Sequence, residues 1–154
     1  MRRAERADAE EVGRLLHEFN SEFDEPTPGP AALAERTRQL LDAGDTVVLL
    51  AGDGPDGLAV LRLRLGIWTE CLECYLAELY VVPARRGRGL GRALMEEAMD
   101  AARAEGATYM ELGTGIDNIL HVLRVDFVWR VLPATLDKKG DHPFGVFGSF
   151  RLSF

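Results

Sequence analysis

One stretch of the chain restricts its fold more than any other. From Tyr75 to Val82 the residues are β-rich, Pro83 stops the run, and a glycine-rich turn, Gly87-Arg88-Gly89-Leu90-Gly91, opens the clearest helical pattern in the sequence. Leu90, Leu94, Ala98 and Ala101 form its apolar stripe, flanked by Met95, Met99 and Ala102, and Gly106 supplies a stop. A strand that enters a helix through such a turn presents N–H groups with no intrahelical partner at the positive end of the macrodipole. Glycines let a phosphate come within hydrogen-bonding distance of those amides. Arg85, Arg86, Arg88 and Arg92 place four positive charges in eight residues. The rest of the chain is acidic: 18 Lys+Arg against 25 Asp+Glu give a formal charge of −7. Such a local reversal of sign suits an anionic cofactor.

Two other phosphate motifs fail on spacing. A P-loop ends in Gly-Lys-Ser/Thr, and Gly91 is followed by Arg92-Ala93. A dinucleotide fingerprint begun at Gly87 or at Gly89 needs its third glycine where the chain has Arg92 or Leu94.

The remaining pattern predicts a single domain over residues 1–154. Asp8 and Glu11 have capping-box spacing, and Val12, Leu15, Leu16 and Phe19 follow at helical spacing. A breaker-rich loop from Asn20 leads to Pro30, which suits the first turn of a second helix that ends at Gly44. Thr46 to Ala51 and Leu58 to Trp68 read as a hairpin, the second strand carrying Leu61, Leu63 and Leu65 on one fully apolar face. After the glycine turn and its helix come a short strand at Tyr109–Leu112, a helix from Asp117 to about Val128, and a β pair at Arg130–Leu136 and Val146–Phe154. The acidic balance argues against binding nucleic acid through bulk charge, and no apolar run approaches a membrane span. Met1-Arg2-Arg3-Ala4-Glu5-Arg6 leads into no apolar signal region, and two cysteines are too few for a disulfide framework; both point to the cytoplasm.

Leu79-x-Val81-x-Pro83-x-x-Arg86-x-x-Gly89-x-Gly91, followed by a helix, resembles the signature of the GNAT superfamily of acyl-CoA-dependent N-acetyltransferases. The element order from Asp8 to Leu112 is similar to that fold as well. The resemblance implies an α+β, three-layer architecture: a mixed, mostly antiparallel sheet flanked by helices, with two central strands splayed apart. It implies that the pyrophosphate of acetyl-CoA sits on the amides of Gly87, Arg88, Gly89, Leu90, Gly91 and Arg92, with Arg86 and Asn118 as further cofactor contacts. Pantetheine would pair with the backbone of Leu79, Tyr80 and Val81. The implied reaction is direct acetyl transfer to a primary amine of a small molecule or protein, without a metal; a homodimer is the family-level expectation.

Within that reaction Glu78 is the preferred base, on one strand face with Tyr80, and Glu111 on the next strand is the second candidate. Relatives place a proton-donating Tyr seven residues after the Asn; here that position is Val125, and Trp129-Arg130 stand where Gly-Phe is usual. Tyr80 or water must then assist thiolate departure. An acyl-CoA-binding module without turnover is the alternative reading. Composition shifts at the same place: after Ile116 lie both lysines and five of the seven phenylalanines, but only one alanine, Ala134. A shifted reading frame, a recombined tail and simple divergence each account for residues 116–154. Cys71-x-x-Cys74 has no second pair, and its odd offset puts the two on opposite faces of a strand, which argues against a metal site. The acidic stretch Glu18, Glu22, Asp24, Glu25, with Phe19, Phe23 and Trp68 as an apolar wall, is a candidate acceptor pocket or an ordinary solvated loop.

Overall fold

A computed structural model describes residues 1–67, 70–119, 123–130 and 148–151, with side chains as far as Leu112. Among these, the strands β1 (Arg2–Arg3), β2 (Thr46–Ala51), β3 (Gly57–Leu65), β4 (Leu72–Val81), β5 (Ala107–Ile119), β6 (Leu123–Arg130) and β7 (Gly148–Arg151) form one sheet in sequence order. Every neighbouring pair is antiparallel except β4 and β5, which are parallel. The crossover between those two is α3 (Leu90–Ala104), while α1 (Ala9–Glu22) and α2 (Pro30–Ala43) lie between β1 and β2. The mixed sheet flanked by helices is the α+β architecture expected above.

The two-residue period of the strands divides the core into two layers. Val47, Leu49, Ala59, Leu61, Cys74 and Leu76 pack with Leu94, Ala98 and Ala102 of α3. Val48, Leu50, Leu58, Val60 and Tyr80 pack with Val12 and Leu15 of α1 on the opposite face. Helix α3 therefore buries Ala102 fully and Ala101 only in part. The apolar face of β3 is shorter than its sequence pattern: Leu61 is buried, but Leu65 is 77% exposed, past the end of the helix that covers its neighbours.

Helix termini follow local chemistry. Pro30 occupies the first turn of α2, and Gly44 closes that helix in the left-handed conformation. The start of α1 differs from the expected capping box. Asp8 makes no side-chain cap to α1; its carboxylate accepts the Glu5 N–H at 2.8 Å and both Nη groups of Arg2. Glu11 instead pairs with Arg14.

The region after Leu112 corrects the sequence reading more strongly. The strand expected to end there continues to Ile119, and the expected helix from Asp117 is replaced by β6, antiparallel to β5 with Ile116 opposite Val125. Leu123, Val125, Phe127 and Trp129 recur at every second position, and such β-branched and aromatic residues favour a strand. Of the expected final β pair, Gly148–Arg151 is a strand paired with β6, and residues 131–147 and 152–154 lie outside the described residues.

Candidate active site

The site begins with an interruption in β4. Against β3, Val60 pairs with Glu78 but Leu61 pairs with Leu76, so Ala77 is an extra residue and the strand bulges there. On the other side, β4 pairs with β5 only from Leu72 to Leu76, opposite Ala107 to Leu112. Both strands run on: β4 reaches Val81, β5 reaches Ile119, and no ladder joins these ends among the described residues. The N–H and C=O groups of Ala77–Val81 that face β5 therefore lack a strand partner, as a splay requires. The bulge was not visible in the sequence, because Ala77 breaks no composition rule.

Glu78, Tyr80 and Glu111 are brought to one face of the sheet. Glu78 is opposite Val60 and Tyr80 is opposite Leu58, whose side chains pack on the α1 side. Glu111 is opposite Tyr75, one residue short of the last β4–β5 pair. Glu78 is half-buried, and desolvation pushes its carboxyl above the ordinary 4.5. Glu111 is paired with Arg64 at 3.1 Å, and Arg64 also holds Glu73 at 3.0 Å. A carboxylate whose proton affinity is raised and which carries no ion pair among the described residues is the better base, so the geometry favours Glu78.

Tyr80 is 4% exposed, and burial, followed by the charge of Glu22, raises its phenol. Its ring stacks on Phe19 with centroids 5.2 Å apart, and Phe19 meets Phe23 edge-on at 5.6 Å. Two residues expected to line an acceptor pocket thus form an aromatic stack with Tyr80; Trp68 lies outside the described residues. Glu18 is paired with Arg14 and Glu22 with Arg86, which leaves Asp24 and Glu25 as the carboxylates of that acidic stretch without an ion pair among the described residues.

Beyond Val81 the short 3-10 turn Pro83–Arg85 leads to the glycines. Gly87 and Gly89 have φ of +74° and +81°, and a Cβ on either would meet nothing within 4 Å. The turn therefore needs glycine for its backbone, and open space lies above it. Gly89 is the N-cap of α3 and no side chain caps that helix, so its first amides are available to an anion. The arginines are less free than their number suggests: Arg85 is paired with Asp56, Arg86 with Glu22 and Arg92 with Glu96. Arg88 has no ion pair among the described residues. Asn118 lies on β5 and Val125 on β6, so the expected helical register between them is absent.

Cys74 is buried in the α3 layer, its thiol pushed up to about 11 by desolvation, and no described group of His, Cys, Asp and Glu residues forms a metal site. No described helix is long and apolar enough to cross a membrane.

The profile of the Acetyltransferase (GNAT) family matches residues 12–120, a span that contains α2, α3, most of α1, the splay and the glycine turn. The chain belongs to the GNAT family of acetyltransferases. Among curated relatives, a mycothiol acetyltransferase of Clavibacter michiganensis subsp. michiganensis is 32% identical over 108 residues, covering 63% of this chain and 34% of that protein. One from Beutenbergia cavernae is 36% identical over 70 residues, 44% of this chain and 22% of that protein. The chain thus spans about a third or less of the length of these curated relatives. Among solved structures, a protein of Arthrobacter sp. FB24 assigned as an acetyltransferase superposes with TM-score 0.69 at 45% identity, over 76% of this chain and 75% of its own. An aminoglycoside acetyltransferase from an uncultured soil metagenomic sample, in complex with sisomicin, shares the fold at TM-score 0.63 and 17% identity, over 73% of this chain and 75% of its own.

Proposed function

We propose that this GNAT protein transfers an acetyl group from acetyl-CoA to a primary amine by direct attack. The observation that carries the reading is a pair of backbone surfaces on successive elements: the β4 edge at Ala77–Val81, which has no strand partner toward β5, and the uncapped amides at the start of α3. The residues present fit the co-substrate. Positive-φ glycines keep the turn open for pyrophosphate, and the amides of Gly87–Arg92 bind it with Arg88 as the unneutralised cation. The β4 edge at Leu79, Tyr80 and Val81 supplies pairing for the pantetheine amides, apart from the Val81 carbonyl, which Arg86 Nε holds at 2.9 Å. Acetyl-CoA brings an activated thioester; the chain must position it, deprotonate the amine and return a proton to the departing thiolate. Glu78 takes the amine proton through water, and the backbone N–H groups of the splay polarise the acyl oxygen. Tyr80 is the phenol nearest the end of β4; it is protonated at neutral pH, and its raised proton affinity makes it a weak acid, so proton return by this route is slow.

The acceptor is a small-molecule or protein amine. Because one neighbour is an aminoglycoside acetyltransferase and two relatives are mycothiol acetyltransferases, an amine panel containing aminoglycosides and aminosugars is the rational screen. Two free cysteines accord with a cytoplasmic setting. One observation favours the second reading, an acyl-CoA-binding module: β6 stands where a helix was expected, and the position at which relatives carry the acid is Val125 on that strand. Amine-dependent release of coenzyme A thiol separates the two, since binding alone is common to both. Steady release supports transfer; saturable binding without release establishes the module.

A further inference from the structure

The Arg86 side chain is committed on three of its nitrogen atoms. Nη1 and Nη2 each donate to the Glu22 carboxylate at 2.6 Å, and Nε donates to the Val81 carbonyl at 2.9 Å. The guanidinium also lies over the Tyr80 ring, 5.7 Å from its centroid. Glu22 is the last residue of α1, 64 positions away in sequence, and Arg86 is where the chain leaves the 3-10 turn for Gly87. On the other flank, Val82 N–H donates to the Asp56 carbonyl at 2.9 Å and Arg85 meets the Asp56 carboxylate at 3.3 Å. The turn is thus fastened on both sides before the glycines begin.

We propose that the Glu22–Arg86 pair is a clasp by which α1 fixes the phosphate-binding turn, making both residues positioning residues for coenzyme A and not contacts to its phosphates. The inference rests on the reading of the turn as the coenzyme A site. An exposed ion pair ordinarily contributes little, but a bidentate fork stacked on a buried ring is held in one geometry. A guanidinium that already carries a carboxylate offers a polyanion no net charge. What it offers is a fixed Val81 carbonyl and a fixed entry to Gly87, so that the amides of the turn are aimed before the ligand arrives.

The two roles predict opposite signs for one substitution. If Arg86 were a phosphate ligand held back by Glu22, Glu22→Gln would release it, remove a negative charge from beside the polyanion, and tighten binding. The clasp predicts that Glu22→Gln weakens coenzyme A, measured by calorimetry, by about three- to tenfold through lost preorganisation. Arg86→Lys, which keeps charge but loses the fork, weakens it similarly, and the double variant is no worse than the weaker-binding single. Hydrogen exchange across residues 83–92 of the unliganded protein rises in both single variants, and Glu22→Asp, which keeps the charge on a shorter arm, gives an intermediate rise. Tighter binding by Glu22→Gln, additive losses, or unchanged exchange overturns the clasp. A parent protein that binds no coenzyme A refutes the reading of the site and the affinity half of this proposal; the exchange measurement, which needs no ligand, then judges the clasp separately.

Discussion

At the scale of single residues, the base role proposed for Glu78 is checkable in two independent ways. Glu78→Gln removes a proton acceptor and almost no volume, so turnover should fall by about 100- to 10,000-fold with coenzyme A affinity unchanged. Because desolvation raises its carboxyl above 4.5, activity in the parent is lost as pH falls through that raised value, and the Gln variant lacks this acid limb. Stability carries the opposite sign. A carboxylate whose folded pKa is raised binds its proton more tightly folded than unfolded, so the parent loses stability as pH rises through this interval. Glu78→Gln should therefore raise the Tm at pH 7, with the gain fading below about pH 4.5. Near-full activity in Glu78→Gln would make Glu78 structural, and Glu111 could serve as base only by giving up Arg64. The cysteines make a simpler case. Cys74 is 1% exposed with its thiol pushed up to about 11, so iodoacetamide should label the native protein at Cys71 alone and reach Cys74 only on unfolding, as read by mass spectrometry.

At the scale of elements, two glycines separate packing from function. A Cβ on Gly13 would stand 2.5 Å from the Pro30 carbonyl and 2.7 Å from the Ala34 nitrogen, because α1 and α2 approach closely there. Gly13→Ala should cost about 1–3 kcal/mol in urea unfolding. Gly91 is the converse: its nearest neighbour would be Val81 Cγ2 at 3.7 Å, an ordinary contact. Gly91→Val should leave the Tm nearly unchanged while weakening coenzyme A by about tenfold or more, since its branches fill the approach to the turn. Gly89 is the poorer probe, because its φ of +81° strains any other residue. Much at this scale was legible in the sequence. Thr46–Ala51, the Pro30 start and the glycine turn followed from turn chemistry and periodicity, which act locally. The Ala77 bulge, the Glu22–Arg86 pairing and the neutralisation of three arginines depend on contacts between distant segments, which one-dimensional spacing does not encode. The expected helix from Asp117 failed for a different reason: its apolar residues satisfy both periods, and the alternation from Leu123 to Trp129 prevailed.

At the scale of the whole molecule, the proposed base, the β4 edge without a strand partner and the proposed phosphate turn come from one contiguous stretch of sequence, Leu72 to Gly91, while α1 comes from the N-terminal region of the chain. The family match ends at residue 120, close to the composition shift after Ile116. A shifted frame predicts that an adjacent frame of the coding DNA beyond Ile116 encodes an Ala-rich helix with a Tyr and a Gly-Phe; if neither frame does, the tail arose another way. The central claim concerns turnover, and one assay reaches it most directly. Acetyl-CoA and the amine panel are incubated with the protein, and free coenzyme A thiol is followed over many turnovers. Steady, amine-dependent release that falls in Gly91→Val at limiting acetyl-CoA and is strongly reduced in Glu78→Gln is the predicted result. Saturable coenzyme A binding with no amine-dependent thiol release across the panel would contradict it.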